Sequence, residues 1–214
     1  MMNTVTQWHG HTLGTEACKA LEKNGFTALF IETGEDARAF IEGLLVPGMS
    51  VGLGGSITLK EIGLHAVLEK AEVRILDHQK KDLSADAKME IMRSQLTCDL
   101  FLSSSNAVTL DGEIFNIDGN GNRVAALTFG PKKTVVVIGS NKIVRNLAEA
   151  QERCETTASP MNNKRLDIPN PCTVKGTCTD CHGERRICRV YSVLKRRPSR
   201  SDFTVLVVGE NLGY

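Results

Sequence analysis

Four cysteines, Cys172, Cys178, Cys181 and Cys188, crowd into one polar stretch with the spacing Cys-x5-Cys-x2-Cys-x6-Cys, and His182 stands beside the third thiol. A Cys-x2-Cys core is a strong sign of metal, and four thiolates have the donor chemistry for a tetrahedral zinc site or an iron–sulfur cluster. The outer spacings match neither the usual zinc ribbon nor the bacterial ferredoxin run, so redox-active thiols, disulfides and plain structural cysteines remain as alternatives. Arg185, Arg186 and Arg189 lie nearby, and their charge would favour thiolates and an anionic cluster.

A second group of residues suits an anion. The loop Val51-Gly52-Leu53-Gly54-Gly55-Ser56-Ile57-Thr58 stands between a short apolar run and a helical pattern through Glu61 and Leu68. Glycines at 52, 54 and 55 let the backbone approach a ligand closely. The exposed N–H groups and dipole at a helix start favour phosphate or carboxylate. Ser56 and Thr58 add hydroxyls; the alternative is a tight turn with Ser56 as its N-cap. No Gly-Lys-Ser/Thr follows, and the spacing is not that of the dinucleotide fingerprint. Glu61, one turn into the helix, is the candidate for proton transfer, or it simply complements the helix dipole.

Two further stretches belong with this loop. Asp118-Gly119-Asn120-Gly121-Asn122-Arg123 has the chemistry of a turn, yet a turn does not need Arg123, whose planar guanidinium can grip a carboxylate or phosphate at two points. Gly139-Ser140-Asn141-Lys142 follows a β-branched run, at the strand end where open α/β folds hold ligands; Lys142 is a ligand group or a surface helix start. Asn106, Asp118 and Asn122 would orient the anion, and Asn141 would stand beside it with Lys142.

The elements that must position these residues alternate. Helical spacing is expected over 15–24, 35–45, from 56 onward, over 84–96 and 142–154. Strands are expected over 27–32, 50–53, 73–76, 99–103, 134–138 and 204–208. This rhythm predicts an α/β fold, a Rossmann-like and mainly parallel sheet with helices on both faces. Between them, 113–117 and 124–129 read as a small β-rich hairpin insertion. The expected units are an α/β domain over 1–154, a cysteine-rich appendage over 155–202, too poor in apolar periodicity to build its own core, and a final strand at 203–214 that returns to the main sheet.

At 214 residues, with 41% hydrophobic and 24% charged residues, the composition is that of an ordinary globular protein. A formal charge of +1 gives no field that would draw the chain to nucleic acid or an anionic membrane. No apolar run reaches membrane-spanning length, and His9, His11, Glu16 and Lys19 are unlike a signal peptide, so a cytoplasmic location is expected. Seven cysteines, an odd number, suit metal or redox chemistry in a reducing compartment better than a disulfide scaffold.

With these residues in view, the chain resembles the lactate-utilisation (LUD) domain family. The resemblance rests on the run from Gly52 to Gly63, on Thr109-Leu110-Asp111-Gly112, on Asp118 to Arg123, and on Val137-Ile138-Gly139-Ser140-Asn141-Lys142. The tail, with Gly176-Thr177-Cys178-Thr179-Asp180-Cys181, resembles a short subgroup of that family. The resemblance implies the fold of ribose-5-phosphate isomerase and coenzyme A transferases, and an accessory part in lactate-type oxidation beside an iron–sulfur oxidoreductase. Other readings are a non-catalytic metal-binding or redox-sensing module, and a sugar-phosphate isomerase or acyl/CoA transferase of the same fold. The expected partners are a small anionic metabolite and that oxidoreductase, without nucleic acid or membrane; whether the chain is a catalyst, or a homo-oligomer, stays open.

Overall fold

The computed structural model describes residues 4–214. In chain order the first elements are α1 (Thr4–Lys23), β1 (Thr27–Ile31), α2 (Gly34–Glu42), β2 (Ser50–Leu53), α3 (Ile57–Glu61), α4 (Leu64–Lys70), β3 (Arg74–Leu76), α5 (Ala85–Gln95) and β4 (Leu100–Ser103). There follow β5 (Ala107–Thr109), β6 (Ile114–Asp118), α6 (Asn122–Thr128), β7 (Lys133–Gly139), β8 (Ile143–Val144), α7 (Leu147–Arg153), α8 (Ser159–Arg165), α9 (Cys172–Lys175), β9 (Val190–Leu194) and β10 (Asp202–Val208).

Six strands form one parallel sheet in the order β1-β10-β7-β4-β2-β3. Side chains alternate across a strand, so an uninterrupted apolar run must feed a core on each face. β7 does this: Val136 and Ile138 join Leu21 of α1 and Leu127 of α6 on one face, while Val135 and Val137 join Ile41 of α2 and Leu68 of α4 on the other. β10 divides likewise, with Val205 and Val207 in the first core and Leu206 and Val208 in the second. The fold is α/β, with helices on both faces of the sheet.

A second, four-stranded sheet has the order β8-β5-β6-β9. β5 and β6 are an antiparallel hairpin, β8 adds parallel to β5, and β9 adds antiparallel along the whole of β6, from Ile114 opposite Leu194 to Asp118 opposite Val190. Ala150 and Cys154 pack against its Ala107, Phe115 and Ile117. The cysteine-bearing tail thus contributes a strand to the sheet that carries Asp118.

Three local expectations are corrected. Residues 124–129 are not the second arm of a hairpin: 124–128 lie in α6, which starts after a left-handed Gly121 and buries Val124, Ala126 and Leu127, and Phe129 is its extended C-cap. Ala-Ala-Leu is a good helix former, and the pattern was short enough to be read either way. Lys142 does not open a helix either. It ends a 3₁₀ turn (Ser140–Lys142), the chain then extends into β8, and α7 begins only after Asn146, whose side chain accepts the Glu149 N–H. The helix after the glycine loop is broken at Gly63, which is left-handed, into α3 and α4.

The hairpin turn depends on Gly112. Its φ is 75°, and a β-carbon there would run into the backbone of Ala20 in α1. Gly48 has a comparable φ of 83° but open space around it. We expect Gly112→Ala to cost about 2–4 kcal/mol, from backbone strain and overpacking together, and Gly48→Ala about 1 kcal/mol, from strain alone. Urea denaturation of the two variants measures this difference, and equal losses would refute the packing role of Gly112.

Candidate functional site

The loops that leave β2, β4 and β7 at their carboxyl ends converge, as ligand-binding loops of open α/β sheets do. They form a half-open cavity of about 100 Å³ whose lining includes Gly54, Gly55, Ser56, Thr58, Ser103, Ser104, Ser105, Asn106, Arg123, Lys142, Arg165 and Tyr214. It adjoins a broader hollow of about 370 Å³ that shares Gly54, Gly55, Asn106 and Arg123 and adds His78, Asp118, Asn122 and Cys188.

The glycines are required by contact as well as by conformation. A β-carbon at Gly54 would lie 2.5 Å from the Ser103 hydroxyl, and Gly55 has a φ of 68° with Gln79 against it. Ser56 caps α3, its hydroxyl accepting the Leu59 N–H at 3.3 Å. Among the described residues, the N–H groups of Gly55, Ser56, Ile57 and Thr58 donate to no protein acceptor. The turn reading and the anion reading of this loop are therefore compatible: Ser56 is a cap, and four donors remain.

Opposite the loop, Lys142 is 3% exposed. Its Nζ donates to Thr58 Oγ1 at 2.8 Å and Ser104 Oγ at 3.0 Å. Burial, reinforced by the charges of Arg153 and Arg123 and opposed by Glu61, lowers its pKa from 10.5 to about 7.

Arg123 is held differently from the sequence expectation of a direct grip. Nη1 donates to Ser104 O and Asn116 Oδ1, and Nη2 to Ile117 O and Asn106 Oδ1, at 2.5–3.2 Å. Nε lies 3.9 Å from Asp118 Oδ2. Its four Nη hydrogens are thus spent on protein acceptors, and it reaches a ligand through its charge. Arg153 works from behind, donating to Asn106 O at 2.6 Å and Asn141 O at 3.0 Å. Burial lowers the pKa of both arginines.

The other residues singled out in the sequence have separate places. Gly52 is buried in β2, where a β-carbon would meet Phe101 at 2.9 Å and Cys98 Sγ at 3.0 Å; its role is packing. Asp118 accepts the Val124 N–H at 3.1 Å and so starts α6, whose first residue is Asn122. Asn141 and Glu61 bind the last residues: Asn141 accepts from Leu212 N–H and donates to Gly213 O, both at 3.1 Å, and Glu61 accepts the Gly213 N–H at 2.5 Å. Neither lines the cavity. The residues that sequence reasoning missed are Ser103, Ser104, Ser105, Asn116, Arg153 and His78. A triple serine directly after a buried strand was the available signal. For Arg153, one charge within an amphipathic helix, there was none.

A family model for the LUD domain matches residues 14–208. The chain belongs to the LUD domain family. No curated protein matches it. Among solved structures, this LUD protein is similar to a DUF162 family protein from Deinococcus radiodurans, with a TM-score of 0.54 and 14% identity over 93% of this chain and 98% of that one. At that identity the likeness is one of fold. Among the described helices of the LUD protein, none is long and apolar enough to cross a membrane.

The tail cysteines of this LUD domain are all free, with Cys172 buried and Cys178, Cys181 and Cys188 half-buried. Burial and the neighbouring thiols raise the pKa of Cys172 and Cys188, so the four lie within electrostatic reach of one another. Among the described residues, no group of three or more His, Cys, Asp or Glu side chains is disposed to hold a metal ion.

Lys142 makes a prediction about pH. Between about 7 and 10.5 the unfolded chain keeps the lysine proton that the native LUD domain has released. Stability therefore rises with pH across that window and is flat in this term below it. Wild type should gain stability relative to Lys142→Met between pH 6.5 and 8.5, by at most about 1.4 kcal/mol per pH unit. Urea midpoints of both proteins measure it, and parallel pH curves would show that Lys142 stays charged in the native state.

Proposed function

We propose that this LUD domain binds a small organic acid or phosphorylated metabolite in the cavity between the glycine loop and Lys142. The observation that carries the reading is an imbalance of charge. Lys142, with no carboxylate in ion-pair range among the described residues, faces a loop whose N–H donors are unspent, while Arg123 and Arg153 add positive potential behind them. In a concave site beside buried groups such donors and charges act on an anion more strongly than on an open surface. The family resemblance extends the reading to an accessory role in lactate-type oxidation beside an iron–sulfur oxidoreductase.

Calorimetric titration at low salt with pyruvate, L-lactate and inorganic phosphate, and with glycerol as a neutral control, tests this. At least one anion should bind saturably and glycerol should not. Lys142→Met should weaken that binding about tenfold or more, the loss of one charge-assisted contact, and Ser56→Ala only a few-fold. Binding unchanged in Lys142→Met would remove the cavity from consideration.

A second reading concerns the tail, where one observation favours metal. Asp180, at a φ of 46°, donates its N–H to Cys178 Sγ at 3.3 Å inside the Cys-x2-Cys turn, so the sulfur is held by a backbone donor as a metal-bound sulfur would be. Arg186 ties the same turn to the fourth cysteine by donating to Cys181 O and Cys188 O, both at 2.6 Å. On this reading the four side chains draw together on zinc or an iron–sulfur cluster, which also supplies the cohesion that an apolar-poor segment lacks. Anaerobic purification followed by zinc, iron and acid-labile sulfide analysis should give stoichiometric metal that Cys178→Ser with Cys181→Ser abolishes. A metal-free protein of undiminished thermal stability would defeat the reading.

A further inference from the structure

Lys142 carries more than a charge. The Thr58 hydroxyl spends its proton on Leu212 O and the Ser104 hydroxyl on Ser105 O, each at 3.4 Å. Both oxygens therefore accept from Nζ, and two of the three outward directions of the amine are taken up by N–H bonds. The third has no protein acceptor among the described residues, and Lys142 lines the cavity. In the ammonium form that direction holds a proton. In the free amine it holds the lone pair, kept from rotating away by two hydroxyls. We propose that Lys142 is a nucleophile that forms an imine with a small 2-oxo acid bound in this cavity.

The inference rests on the anion-binding reading, because the carboxylate must be held by the glycine loop for the neighbouring carbonyl carbon to reach Nζ. The cavity, about 100 Å³ and continuous in its lining with the adjoining hollow, has room for such an acid. The step balances without a co-reactant. The lone pair of Nζ adds to the carbonyl carbon, the carbonyl π pair moves to oxygen, and one proton passes from the nitrogen to that oxygen to give a neutral carbinolamine. The carbinolamine hydroxyl then takes up a solvent proton and leaves as water while the nitrogen lone pair forms the C=N bond, and the remaining nitrogen proton is released to solvent. The adjoining hollow of about 370 Å³ gives water a way in and out. The electrostatic setting agrees with a free amine near neutrality: burial together with Arg153 and Arg123 opposes the ammonium form, and Glu61 favours it without touching the lysine. The loop side presents hydroxyls and backbone N–H groups.

The test is reductive trapping. Full-length protein is incubated with pyruvate and cyanoborohydride, digested, and mapped by mass spectrometry, while pyruvate binding is measured by calorimetry in parallel. We expect one adduct per chain, with the mass of pyruvic acid less water plus two hydrogens, on the peptide that carries Lys142. It should form more slowly at pH 6 than at pH 8 and be suppressed at least tenfold by Lys142→Met. Mapping of the wild-type protein identifies the site even where the variant folds poorly. Pyruvate that binds yet leaves no adduct on Lys142 overturns the imine and leaves the anion site standing. Adducts scattered over exposed lysines also overturn it. Absence of both binding and adduct takes down the imine and, for 2-oxo acids, the anion reading with it.

Discussion

The arrangement depends on burying three cations at the carboxyl edge of a parallel sheet. Taking a charge out of water costs several kcal/mol unless hydrogen bonds and partners replace its hydration. Arg123 meets that demand with four protein acceptors and one distant carboxylate, so the loop after β4, the strand β6 and the start of α6 must all hold their positions around it. Arg153 imposes a similar condition on the chain at Asn106 and Asn141. Lys142 meets it least completely, with two hydroxyls and no acid, while burial and the charges of Arg153 and Arg123 disfavour its ammonium form. The same incompleteness makes it the group that a ligand can complete.

The sheet supplies the rigidity this requires. β2, β4 and β7 are neighbours, and their central residues are buried on both faces, so the three loops that carry Gly54, Ser104 and Lys142 start from adjacent and fixed points. The second sheet holds the other side. Its hairpin places Asn116 and Asp118 against Arg123, and α7 across its back brings Arg153 to the loops. The cleft is a seam between two sheets, which explains why its cations come from both.

Much of this was legible in the residues. Alternating apolar runs and helical spacing located the strands of the parallel sheet, because burial on both faces leaves a continuous apolar signature in β7 and β10. The glycine loop was legible because Gly54 and Gly55 answer to local contact and conformation. What could not be read were choices settled at a distance. In residues 124–128 the helix propensity of Ala-Ala-Leu is only a weak local preference; the sheet face that receives Leu127 decides it. Lys142 looked like the first residue of a helix, since nothing near it in sequence announces that Thr58 and Ser104 stand ready to take its protons. The guanidinium of Arg123 looked free for a ligand because Asn106 and Asn116 reach it only after the hairpin has formed.

The cysteine-bearing tail is less separate from this cleft than its composition implied. Cys188 lines the outer hollow and packs on Cys154, whose pKa burial pushes up to about 12 while Arg153 and Arg123 pull the other way. A change of charge at Cys188 is therefore felt by the groups that set the potential of the cavity, and a ligand in the outer hollow would sit against the segment that carries the thiols. Because β9 is paired along the whole of β6, that segment cannot shift without disturbing the strand that presents Asp118 to Arg123. The thiols and the cation-lined cavity thus share a wall, and a disturbance of either one reaches the other through β6 and β9.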